Sequence, residues 1–141
     1  MQDAPHPEQL LEAVVRFLRN EALPALSRHG EGALAYQARV AANMLDIVKR
    51  EVTLAPAADA AELARLQALV GRPGEPGDLA TLNRRLAERI ADGSLDAATP
   101  GVAEHLWHNT LAKLAVDQPG YETYRRIVGD PVAPPPSRSP A

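Results

Sequence analysis

A chain of 141 residues is long enough for one domain with its own apolar core. It contains no cysteine, which excludes a disulfide framework and thiolate metal sites, and its formal net charge of −3 lacks the basic excess that binding nucleic acid through its phosphates requires. Apolar residues make up 45% and aromatics only 4%, so a thin, helix-on-helix core of small side chains is expected.

The elements follow from breakers, caps and period. Pro7 suits a first-turn position, and Leu10, Leu11, Val14, Phe17 and Leu18 recur at helical spacing, which predicts a first helix over 7–22. Pro24 bends or ends it, and 27–32 reads as a loop. A second helix is expected over 33–54, with Leu34, Ala38, Ala41, Leu45, Val48 and Val52 as its buried stripe and Pro56 as its stop. Asp59, with Glu62 three residues on, opens a third helix carrying Leu63, Leu66, Leu69 and Val70 and ending at Gly71. The Gly- and Pro-rich stretch 71–77 is a loop. Asp78 N-caps a fourth helix with Leu79, Leu82, Leu86 and Ile90 on one face, closed by Gly93 in a left-handed conformation. Thr99 and Pro100 start a fifth helix that runs to about Asp117, and a short helical turn follows over 121–127.

The fold class expected is therefore all-α, a five-helix bundle forming one domain over 1–129. Residues 130–141 hold five prolines and no apolar period, so a disordered tail is expected there. Charges interrupt every apolar stretch before it reaches spanning length, and Met1-Gln2-Asp3-Ala4-Pro5 shows no signal-peptide pattern. A cytoplasmic protein with no membrane segment is the expectation.

Two polar stripes stand out. Arg39, Asn43, Asp46 and Arg50 are spaced four, three and four apart, which places them on one side of a helix. Asp46 and Arg50 are spaced for an ion pair, and arginine's planar fork suits carboxylates and phosphates, so this stripe is either a solvated face or a recognition surface. Thr110, Lys113 and Asp117 share a side of the fifth helix. Asp117 lies in its last turn, where a negative charge opposes the helix dipole. Pairing with Lys113 or capping the next turn are two ways to offset it. His105 and His108, three apart, could neighbour each other on a metal, but a third ligand is lacking because Glu104 points a quarter-turn away. They read best as surface histidines. No G-x-S-x-G, H-E-x-x-H or Gly-rich phosphate loop is present.

Two segments carry a family resemblance. Ala35-Tyr36-Gln37-Ala38-Arg39-Val40-Ala41-Ala42-Asn43-Met44-Leu45, continuing to Arg50-Glu51, and Thr110-Leu111-Ala112-Lys113-Leu114-Ala115-Val116-Asp117, continuing to Tyr121, join the Leu10-Leu11-Glu12-Ala13-Val14 opening. Together they resemble a family of small helical bacterial proteins encoded beside an aminoglycoside-phosphotransferase-like kinase and an acyl-CoA dehydrogenase. One branch is similar to the small subunit of the 4-hydroxyacyl-CoA kinase of levulinate breakdown. The resemblance spans about residues 2–127 and implies a non-catalytic accessory subunit without a cofactor, whose partner is such a kinase. Arg39, Asn43, Arg50, Lys113 and Asp117 are the positions it points to for contact with the kinase or with acyl-CoA. A competing expectation, from the thin core, is a homodimer that buries leftover apolar helix surface without any kinase.

Overall fold

The computed structural model describes residues 4–72, 74–75 and 77–129, and the tail expected over 130–141 lies outside them. The fold is all-α. α1 (Pro7–Phe17) passes through a π turn (Leu18–Ala22) into α2 (Leu23–Arg28). α3 (Gly32–Val70) is one 39-residue helix, followed by α4 (Leu79–Ala91), α5 (Val102–Asp117) and α6 (Glu122–Val128).

Two prolines do less than the sequence suggests. Pro24 was expected to bend or end the first helix. It does not end the helical run: the chain widens just before it, where Leu23 N–H donates to the Leu18 carbonyl, a five-residue closure, and α2 carries on with Pro24 in its first turn, where no N–H is needed. Only 29–31 separate α2 from α3, in place of a loop over 27–32.

Pro56 was expected to stop the second helix, with a third starting at Asp59; both lie inside α3. Val52 and Pro56 are exposed, so water can reach the carbonyl that loses its donor. The alanines at 55, 57, 58, 60, 61 and 64 are the best helix formers to carry the chain past the proline. Packing fixes both halves. α1, the π turn and α2 lie against α3, and so do α4 and α5, and those last two share a core with its C-terminal half.

That core holds Leu66, Val70, Leu82, Leu86, Leu95 and Val102, with Leu63, Leu69 and Leu79 around it. Gly71 ends α3 as expected, and a Cβ there would lie 2.3 Å from the Gln67 carbonyl oxygen. Asp78 caps α4 by accepting the Thr81 N–H at 2.7 Å, which holds its carboxyl below the ordinary range. Gly93 is left-handed, φ +77°. The start of α5 differs from expectation. Asp96 and Thr99 bond reciprocally one turn earlier, and α5 begins at Val102 behind left-handed Gly101.

The N-terminal half of α3 buries alanines rather than its larger residues. Ala35 and Ala42 are buried and Ala38 and Leu45 half-buried, whereas Leu34, Ala41, Val48 and Val52 of the expected stripe are exposed. The covered face is thus rotated from the one drawn by the large apolar residues, because α1 and α2 approach over small side chains.

Candidate functional site

The first polar stripe is partly tied down by residues distant in sequence. Arg19, in the π turn, donates to Asn43 Oδ1 at 3.0 Å and to Asp46 Oδ2 at 2.6 Å. The expected Asp46–Arg50 pair does not form. Asp46 faces Arg19 and, at 3.6 Å, Lys49. Lys49 also pairs with Glu12 of α1; the hydrogen bond to Glu12, opposed by desolvation, raises its pKa. Arg50, half-buried, donates from Nε to the Val116 carbonyl at 2.5 Å. That carbonyl is one of the last four of α5, which have no partner within the helix, so Arg50 brings a cation to the negative end of that dipole. Arg39 is exposed and makes no hydrogen bond or ion pair among the described residues.

On α5 the second stripe is less engaged. Thr110 Oγ1 donates to the Leu106 carbonyl of its own helix at 2.8 Å. Lys113 and Asp117 are exposed and form no ion pair with each other. Arg50 of the first stripe reaches α5 at Val116, next to Asp117 of the second. Arg50 lines one cleft and Val116 another. One of about 540 Å³ runs between α1 (Glu8, Gln9, Glu12, Ala13, Arg16) and α3 (Lys49, Arg50, Thr53, Leu54). Another of about 330 Å³ lies between α3 and α5, with Glu51, Asp59 and Glu62 on one wall and Lys113 on the other.

His105 corrects the surface reading of the histidine pair. It is only 1% exposed, whereas His108 faces solvent 3.7 Å from Glu104. Among the described residues no three histidine, aspartate or glutamate side chains are grouped to hold a metal. Arg65, which can only donate, gives Nη2–H to Asn109 Oδ1 at 2.9 Å; the Asn109 amide therefore turns its Nδ2 to His105 Nε2 at 3.2 Å. Nε2 accepts, so the ring proton resides on Nδ1, which is buried without a partner. Burial, reinforced by the Arg65 charge and opposed by Glu62, lowers the His105 pKa below 6.5.

The unfolded chain takes up a proton near pH 6.5 while the folded chain does not, so the folded state is at full advantage above that pH and loses it as pH falls toward the lowered value. The melting temperature is expected to drop more steeply from about pH 7 to about pH 5 in the wild type than in a His105→Gln variant. Parallel profiles would contradict this.

The resemblance-bearing segment of α3 also shows an outer face. Tyr36, Val40, Met44 and Ile47 recur at steps of four, four and three, about 160° around the helix from buried Ala42. Tyr36 is 65% and Met44 62% exposed, and no described element covers them. Residues 28–121 match the family model described as a domain of unknown function, DUF6285. The chain belongs to that family. The matched span of this DUF6285 chain takes in both resemblance-bearing segments, all of α3 and α5, and every site residue expected from the sequence. No curated protein and no solved structure matches it. Sequence reasoning missed Glu12, Arg19 and Lys49, whose hydrogen bonds between helices span 24 to 37 residues and leave no local signature. The outer face of α3 could have been found, since its spacing is helical, had it not been masked by the competing stripe at 34, 41, 48 and 52.

Proposed function

We propose that this chain is a non-catalytic accessory subunit that docks an aminoglycoside-phosphotransferase-like kinase acting on hydroxyacyl-CoA. The observation that carries the reading is the uncovered outer face of α3. Tyr36, Val40, Met44 and Ile47 are exposed on a helix whose opposite side is held by α1 and α2. A row of apolar anchors at helical spacing on a rigid support is what a partner's groove recognises, with aromatic and Met side chains favoured at such contacts. The face lies within the segment that carries the family resemblance, which supplies the identity of the partner. Arg39 stands beside the face and has no partner among the described residues, so it is free to meet an acidic group at the rim.

The same face supports a second reading, a two-fold homodimer in which α3 packs against its counterpart without a kinase. Co-expression with the neighbouring kinase, followed by size-exclusion chromatography and sedimentation, separates the two. The accessory reading expects co-elution, with Arg39→Ala weakening the complex and exposed Arg72→Ala leaving it intact. A tight dimer that ignores the kinase, or a kinase equally active without this chain, overturns it.

A further inference from the structure

We infer that the cleft between α1 and α3 is a binding site for a small amphiphilic anion, an aliphatic chain ending in a carboxylate. The inference goes beyond kinase docking, involves a different face of α3 and requires no partner protein.

The carrying feature is Arg50. It is half-buried and its Nε–H is held by the Val116 carbonyl, yet no carboxylate pairs with it among the described residues. A carbonyl at a helix end offsets only part of a full charge. Nearby carboxylates are already taken: Glu12 by Lys49, and Asp46 by Arg19 and Lys49. Arg16, also in the cleft wall, has no hydrogen-bond or ion-pair partner among the described residues either. Two guanidinium groups from two helices therefore line one cleft without a counter-ion. The fixed Nε leaves the Nη edge of Arg50 to accept a planar anion, and a carboxylate matches that fork.

Glu8 is the remaining acid of the lining. It sits in the first turn of α1, where the dipole favours it, about 12 Å along the helix from Arg16. The anion thus belongs at the Arg16 and Arg50 end. Ala13, Leu54 and the Thr53 methyl give the rest of the wall an apolar character that suits an aliphatic chain, and about 540 Å³ is a size typical of small-ligand sites.

The test uses the full chain alone, titrated with octanoate, acetate and octylammonium while backbone amide resonances are followed. Octanoate should shift Ala13, Arg16, Arg50, Thr53 and Leu54, and acetate should bind the same residues more weakly. Octylammonium should leave them unmoved. Arg16→Gln, at an exposed residue without a structural bond, and Arg50→Gln should each weaken octanoate by about tenfold, with exposed Arg84→Gln on α4 unchanged. Since Arg50→Gln also removes the Val116 bond, its fold is checked by circular dichroism, and Arg16→Gln decides if it fails. Equal or tighter binding of octylammonium, shifts confined to other surfaces, or octanoate affinity unaffected by Arg16→Gln overturns the inference.

Discussion

Replacing Leu66 by Ala should lower the unfolding free energy by about 2 to 5 kcal/mol. Leu66 is fully buried, on the C-terminal half of α3, in one cluster with Val70, Leu82, Leu86, Leu95 and Val102. Truncation removes three methyl or methine carbons from a site whose neighbours come from three helices and a loop. Relaxation into the gap would have to move them together, so most of the cavity persists. The loss is large against a typical domain stability of about 5 to 15 kcal/mol. Val48→Ala, at an exposed position of the same helix, should change stability by less than about 1 kcal/mol. Chemical denaturation of both variants checks this pair. If Val48→Ala were as damaging as Leu66→Ala, the buried stripe would be the one drawn from the large residues after all.

Met44→Asp should weaken kinase binding by at least about tenfold while leaving the fold almost untouched. Met44 is 62% exposed at the centre of the outer row between Val40 and Ile47. A carboxylate placed there would be desolvated in a docked apolar interface without a counter-charge, which is unfavourable for binding alone. In the free subunit the same carboxylate stays in water, so the cost to stability is limited to a modest helix-propensity difference. Pull-down with the kinase and thermal melting of the free variant together distinguish a surface effect from unfolding. An unchanged complex would show that the row at 36, 40, 44 and 47 is not the docking face.

Much of this fold is legible in the sequence where the signal is local. Asp78 caps α4, Gly71 and Gly93 mark helix ends, and Leu66, Val70, Leu82 and Leu86 form the core their spacing announces. α5 ends at Asp117, and a short helix follows at Glu122–Val128. The expectations that fail do so for identifiable reasons. Pro24 and Pro56 were given the weight of isolated prolines, but a π turn accommodates one, while alanine-rich sequence and tertiary packing carry α3 through the other. The buried stripe of α3 was misplaced because its covered positions are alanines, which size-weighted periodicity undervalues.

The site was legible only in part. Arg39, Asn43, Asp46 and Arg50 do share a side of one helix, as spacing alone indicates. What each does there depends on chains that arrive from elsewhere. Arg19 takes up Asn43 and Asp46, and Val116 takes up Arg50, so the local Asp46–Arg50 geometry never decides the pairing. His105 reads as a surface residue because no third metal ligand stands near it in sequence, yet it is buried beside Arg65 and Asn109, a meeting of α3 and α5 that no local pattern encodes.

The most direct measurement exploits the cysteine-free sequence. A Met44→Cys variant carries a single thiol on the outer face of α3, and Glu88→Cys carries one on the exposed side of α4. Thiol-labelling rates are compared with and without saturating kinase. Kinase is expected to slow labelling of the Met44→Cys variant severalfold and to leave the Glu88→Cys variant unchanged. Undiminished labelling at position 44 in a kinase mixture proven to contain the complex would contradict it.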